Sequence, residues 1–95
     1  MDTEGLLEIG ERGIHLLFDT GTINEAFRQD ADRLRDDLAD RFQEVHFAIE
    51  ALTKLTDADE GRRFIDGLNT SIRYVLVLLY FELLDGRLRR KRILH

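Results

Sequence analysis

Apolar residues recur every three or four positions over 22–55, which is the spacing of one face of an α-helix. Thr22 and Glu25 have the spacing of a capping box at the start of this segment. Acidic residues precede basic ones by three or four positions on the opposite face, as on a solvated helix. We therefore predict a long amphipathic helix over 22–55, whose apolar stripe is Phe27, Ala31, Leu34, Leu38, Phe42 with Val45, Ile49 and Leu52.

A second long helix is predicted over 58–85. Asp57 is the expected N-cap, and Gly86 is the expected stop after the last turn. From 74 a second stripe joins the first, so the 74–84 segment is apolar on all sides except at Glu82. The composition of 75–81 also suits a buried strand, but the stripe that begins at Ile65 favours a helix.

The 3–19 segment has two interpretations. As a β-hairpin it turns at 10–13. As a helix it carries on roughly one side Leu6, Leu7, Ile14, Leu17 and Phe18. We favour the helix, because two strands alone are marginally stable in water.

The predicted fold is all-α, a single domain over 1–95 built on a long antiparallel helical hairpin with a short N-terminal element at 1–19. A helix over 22–55 would be about 50 Å long, whereas a compact chain of this size is about 25–30 Å across. A helix that is apolar on all sides must also be buried on all sides. We therefore expect an oligomeric helical bundle, most simply a homodimer. The residues expected to self-associate are Ile72, Val75, Leu76, Leu79, Phe81 and Leu83.

Two charged residues accompany this apolar stretch. Arg73 and Glu82 are candidates for a buried ion pair, because buried charges are usually paired. The hypothesis is that Glu82 pairs with an arginine from a neighbouring element or subunit, which would fix the register of the assembly.

The charge of the chain is uneven. Its net charge is −5, but all the acidic residues lie in 1–85, which carries −10. The 86–95 segment has no acid and is predicted to be a basic tail with Arg87, Arg89, Arg90, Lys91 and Arg92. Such a tail suits an acidic protein partner, nucleic acid or an anionic membrane surface, and equally the acidic body of its own chain. The −10 body and the lack of interleaved aromatic residues disfavour nucleic acid.

The location is expected to be the cytoplasm. The chain has no cysteine, its acidic 1–4 start is unlike a signal peptide, and no apolar run reaches the roughly 18–20 residues that span a bilayer.

Candidate chemistry is sparse. His46 and Glu50 are spaced to share a metal, but no third ligand lies on that face. The glycines lack a phosphate-binding pattern, and Ser71 is the only serine. We expect no cofactor and a non-enzymatic protein–protein interaction module, as scaffold, adaptor or regulatory subunit. The alternatives are a small nucleic-acid-associated regulator that uses the tail, and a helical metal- or ligand-binding enzyme subunit.

Overall fold

The fold consists of α-helices joined by short connections. The computed structural model describes the backbone of residues 3–93 and the side chains of residues 3–90. Within 3–93 there is no β-strand, so the fold is all-α as predicted, and the alternative hairpin and strand are wrong. The helices are α1 (Thr3–Glu11), α2 (Thr20–Phe27), α3 (Ala31–Asp40), α4 (Phe42–Lys54), α5 (Ala58–Asp66) and α6 (Thr70–Ile93).

Helix α6 is the central element. It contacts α1, α2, α3 and α4. Its buried positions lie on the sides that these neighbours cover, whereas the side that carries Glu82 and Asp85 is exposed, so the helix is not buried on all sides. The buried positions are Ile72, Val75, Leu76, Val77, Tyr80 and Leu84.

The predicted helix over 22–55 is three shorter helices. Asp30 interrupts it, since its side chain accepts hydrogen bonds from the amides of Asp32 and Arg33 and so starts α3. Arg41 alone separates α3 from α4. These breaks let the segment bend round α6 within a molecule of 39 × 32 × 25 Å, where a straight helix would overhang. The long antiparallel hairpin is therefore replaced by short helices packed round one long one.

The start of this region also differs from the prediction. The N-cap of α2 is Asp19, whose Oδ1 accepts from the Thr22 amide at 2.7 Å. The predicted Asp57 cap is confirmed, since its side chain accepts from the Glu60 amide at 2.8 Å.

The predicted helix over 58–85 is divided as well. It stops at Gly67, and Asn69 then accepts from the Ser71 amide at the start of α6. Gly86 does not end α6, which continues to Ile93. The predicted basic tail is therefore, as far as residue 93, the last part of the central helix.

The N-terminal segment is helical only in its first half, because α1 ends before Gly13, which has a positive φ of 89°. A connection without regular secondary structure then brings Leu17 and Phe18 into the core. None of the helices in residues 3–93 is both long enough and apolar enough to cross a membrane.

Candidate interaction surface

The apolar 74–84 segment is largely covered by the chain itself. Of the residues predicted to self-associate, Ile72, Val75 and Leu76 are at most 5% exposed. Leu79 and Phe81 are half-buried, and Leu83 is 56% exposed. Several short helices cover more sides of α6 than one long helix would. The expectation that one copy leaves part of this segment uncovered therefore holds for Leu79, Phe81 and Leu83 only, and the expected oligomer stays a prediction.

A groove remains open between α3 and α6. Its volume is about 610 Å³, and Phe27 of α2 contributes to its wall. The groove is open because no other part of the described chain fills the furrow between the two helices. Most of its surface is formed by apolar side chains. The apolar lining includes Phe27, Leu34, Leu38, Leu78, Leu79 and Phe81.

Aromatic residues form part of the groove wall. The Phe27 ring is 56% exposed and meets Phe81 edge-on, with the ring centroids 5.2 Å apart. Phe81 is supported from behind by His15, at 5.0 Å between ring centroids, and by the neighbouring Tyr80. These contacts hold Phe81 in place. Phe27, in contrast, is a large apolar side chain that is exposed to water.

Charged side chains border the groove with opposite signs on its two walls. Arg35 lies on α3, and Glu82 and Asp85 lie on α6. Asp85 pairs with Arg89 at 2.8 Å. Arg35 lies 3.6 Å from Asp32, and both side chains are mostly exposed. Glu82 is exposed and has no hydrogen bond or ion pair within the described residues.

Arg73 and Glu82, the candidates for a buried ion pair, do not pair with each other in one chain. The Arg73 guanidinium donates from Nη2 to the carbonyl oxygens of Asp66 and Leu68, at 3.1 and 3.2 Å. It thereby satisfies carbonyls left open where α5 ends. Its Nε is buried and has no hydrogen-bond partner in the part of the chain that the structure describes. Arg73 thus ties α6 to the end of α5, and Glu82 is a surface residue of the groove.

The basic residues at the end of α6 are partly engaged with the body of the chain. Arg87 donates from Nε to Glu11 Oε1 at 2.7 Å and also pairs with Glu4, so it clamps α1 against α6. These hydrogen bonds, first to Glu11 and then to Glu4, raise the pKa of Arg87. Arg89 is held by Asp85, whereas Arg90 is exposed. The side chains of Lys91 and Arg92 lie outside the described residues.

A second apolar patch, which the sequence did not reveal, lies on α4. Phe42 and Phe47 are 62% and 70% exposed, although Phe42 was expected on the buried stripe. Phe47 borders a shallow hollow of about 420 Å³ with Phe64 and Leu68. Only the position of α4 against α5 and α6 reveals it, because Phe47 falls off the helical stripe.

The geometry offers little for chemistry. His46 Nε2 lies 3.0 Å from Glu50 Oε1 on an exposed face. Among the described residues, no group of three His, Asp or Glu side chains is arranged to hold a metal ion. His15 contacts Tyr80 through Nδ1 at 2.8 Å, a pair that joins the segment after α1 to α6. The groove between α3 and α6 is therefore the feature with the clearest binding character.

No protein-family model matches this chain, and none of the curated proteins or solved structures compared with it does.

Proposed function

We propose that this chain is a non-enzymatic, helical protein–protein interaction module that assembles with itself through the groove between α3 and α6. Its role is that of a scaffold, adaptor or regulatory subunit, and its first partner is a second copy. The observation that carries the proposal is the groove itself, an apolar furrow of about 610 Å³ with the exposed Phe27 in its wall.

Physical chemistry supports an occupant for this groove. A contiguous exposed apolar surface rimmed by charges is typical of a protein interface. Aromatic side chains are enriched where such interfaces are energetically strongest. Phe27 and Phe81 supply this type of surface, and Leu79 adjoins them on the same wall. Two stacked helix pairs enclose one core between them, as in a four-helix bundle.

The alternatives receive less support from the same surface. A nucleic-acid interface would use the basic end of α6, but Arg87 and Arg89 are already bonded to carboxylates. An enzyme subunit would need convergent polar groups in the groove, whose described lining is mainly apolar. Assembly between proteins uses an apolar surface with exposed aromatic side chains, and the groove has both.

The mass of the full chain in solution tests the proposal. Sedimentation equilibrium at micromolar concentration is expected to give a dimer. Phe27→Ser is expected to weaken the dimer by at least about tenfold in Kd, since an exposed aromatic at an interface centre is worth more than about 1.4 kcal/mol. Phe47→Ser is the matched control, because Phe47 is also a largely exposed phenylalanine and lies outside the groove.

The two variants also separate the outcomes. A stable monomer across the micromolar range would refute self-assembly. Dissociation by Phe47→Ser but not by Phe27→Ser would place the interface on the α4 patch and would contradict the role of the groove.

A further inference from the structure

The two walls of the groove carry unlike charges. The α3 wall presents the guanidinium of Arg35, and the α6 wall presents the carboxylates of Glu82 and Asp85. Asp85 already forms an ion pair with Arg89. Glu82 is therefore the acidic side chain on this wall whose charge is unmatched within the described residues.

Arg35 is also available to a partner. Its contact with Asp32 is long, at 3.6 Å, and both side chains are highly exposed. An exposed pair of this kind contributes little to stability. Docking of a partner can therefore redirect the guanidinium at small cost.

Symmetry decides which charges meet. When two copies stack groove to groove, a two-fold axis along the groove places α3 of each copy over α6 of the other. An axis across the groove instead places α3 over α3 and α6 over α6. The second arrangement opposes Glu82 to its own copy and brings together two helices rich in aspartate, which like-charge repulsion disfavours.

Resting on the proposed self-assembly, we infer that the two-fold axis of the dimer runs along the groove and that Arg35 of each copy pairs with Glu82 of the other. The pair forms twice, once on each side of the shared apolar core. Charge pairs at the edge of an apolar contact select the partner and fix its register more than they add affinity. Glu82 thus determines how the two copies are oriented.

Charge reversal tests this pairing. Arg35→Glu alone and Glu82→Arg alone each place like charges opposite one another twice in the homodimer. Each is expected to raise the dimer Kd by at least tenfold at low ionic strength, and the double variant is expected to restore it. Arg33→Glu is the control, because it makes the same change on α3 outside the groove lining, and it is expected to change Kd by less than twofold.

Mixing the two single variants provides the decisive measurement. In a heterodimer of Arg35→Glu with Glu82→Arg, both cross-groove pairs are attractive again. Native mass spectrometry of the equimolar mixture is expected to show one-to-one heterodimers at concentrations where each variant alone is monomeric. Circular dichroism and melting temperature confirm that every variant is folded.

Each other outcome overturns a definite part of the inference. Rescue by the double variant without heterodimers in the mixture would mean that Arg35 and Glu82 pair within one chain. A wild-type dimer that both charge reversals leave intact would refute the pairing while the proposed self-assembly stands. A monomeric wild-type chain would refute both.

Discussion

The phenol oxygen of Tyr80 lies 2.8 Å from Nδ1 of His15, and this contact joins α6 to the connection between α1 and α2. The ring of Phe18, from the same connection, stacks on Tyr80 with the ring centroids 5.5 Å apart. Burial raises the pKa of Tyr80, because the charged phenolate loses solvation there. One side chain thus holds an otherwise irregular segment onto the central helix.

Tyr80→Phe is expected to destabilise the chain at neutral pH by about 1 kcal/mol, since it removes one partly buried hydrogen bond and keeps the ring. Urea unfolding measures the difference. At alkaline pH the unfolded chain loses the Tyr80 proton first, so the stability of the wild type falls as the pH rises above about 10. The stability of Tyr80→Phe is expected to fall less steeply with rising pH. Identical slopes of stability against pH for the two proteins would show that the phenol is not shielded from water.

Gly10→Ala is expected to destabilise the chain by about 1–3 kcal/mol, the usual cost of overpacking. A Cβ at Gly10 would collide with the Tyr80 hydroxyl and lie 3.1 Å from Leu84 Cδ2, so α1 would have to move away from α6. Thermal unfolding measures the effect.

Two comparisons make the Gly10 prediction specific. Gly86→Ala is the control, because nothing lies within 4 Å of the added methyl group, and it is expected to stabilise α6 by about 0.5–1 kcal/mol. In the Tyr80→Phe background the cost of Gly10→Ala is expected to shrink, since the closest atom is gone. Simple additivity of the two changes would argue against the collision.

Asp19→Asn is expected to remove a charge from the N-terminus of α2 while keeping a capping oxygen. The Thr22 amide that donates to Asp19 is the main cause of the lowered pKa of this carboxyl. The stabilisation that the ionised Asp19 carboxylate provides is therefore complete above about pH 4, and it is lost as the pH falls through the lowered pKa.

The wild type is accordingly expected to exceed Asp19→Asn by about 0.3–1 kcal/mol at pH 7. Urea titrations at several pH values are expected to show this difference vanish in strong acid. A difference that does not depend on pH would mean that the charge of Asp19 contributes nothing.

Arg87→Met is expected to lower the urea midpoint, because it removes the guanidinium that bonds the Glu11 carboxylate, which is only 7% exposed. Arg90→Met is the matched control, since Arg90 is exposed on the same helix and forms no ion pair within the described residues. An equal effect of both changes would show that general charge, and not the clamp on α1, determines stability.

The helical class and several helix boundaries follow from local rules. Asp57 was predicted as a cap because its side chain bonds the chain directly after it, and that interaction needs no tertiary structure. The break at Asp30 was missed because the apolar repeat from Phe27 through Leu34 stays in phase across it. Helices α2, α3 and α4 all contact α6, so the repeat alone does not reveal the bend.

The groove was predictable only on one wall. The sequence predicted self-association through Leu79 and Phe81 and an ion pair at Glu82, because the segment around them is unusually apolar. Phe27 was expected on the buried stripe and Arg35 on the solvated face of the same helix, because their place in the groove depends on which helix lies across from α6, and the sequence pattern does not encode that choice. Leu76 was predicted at an interface, but its own chain buries it. The apolar pattern does not show whether such a position is covered by its own chain or by another.

The central position of α6 has a consequence for how the protein is made. Helices α1 to α4 all pack against α6, whose residues 70–93 leave the ribosome after them. During translation those earlier helices therefore have no core to join, and their apolar residues stay open to water and to chaperones until α6 emerges. Folding is then a late event that involves most of the domain at once.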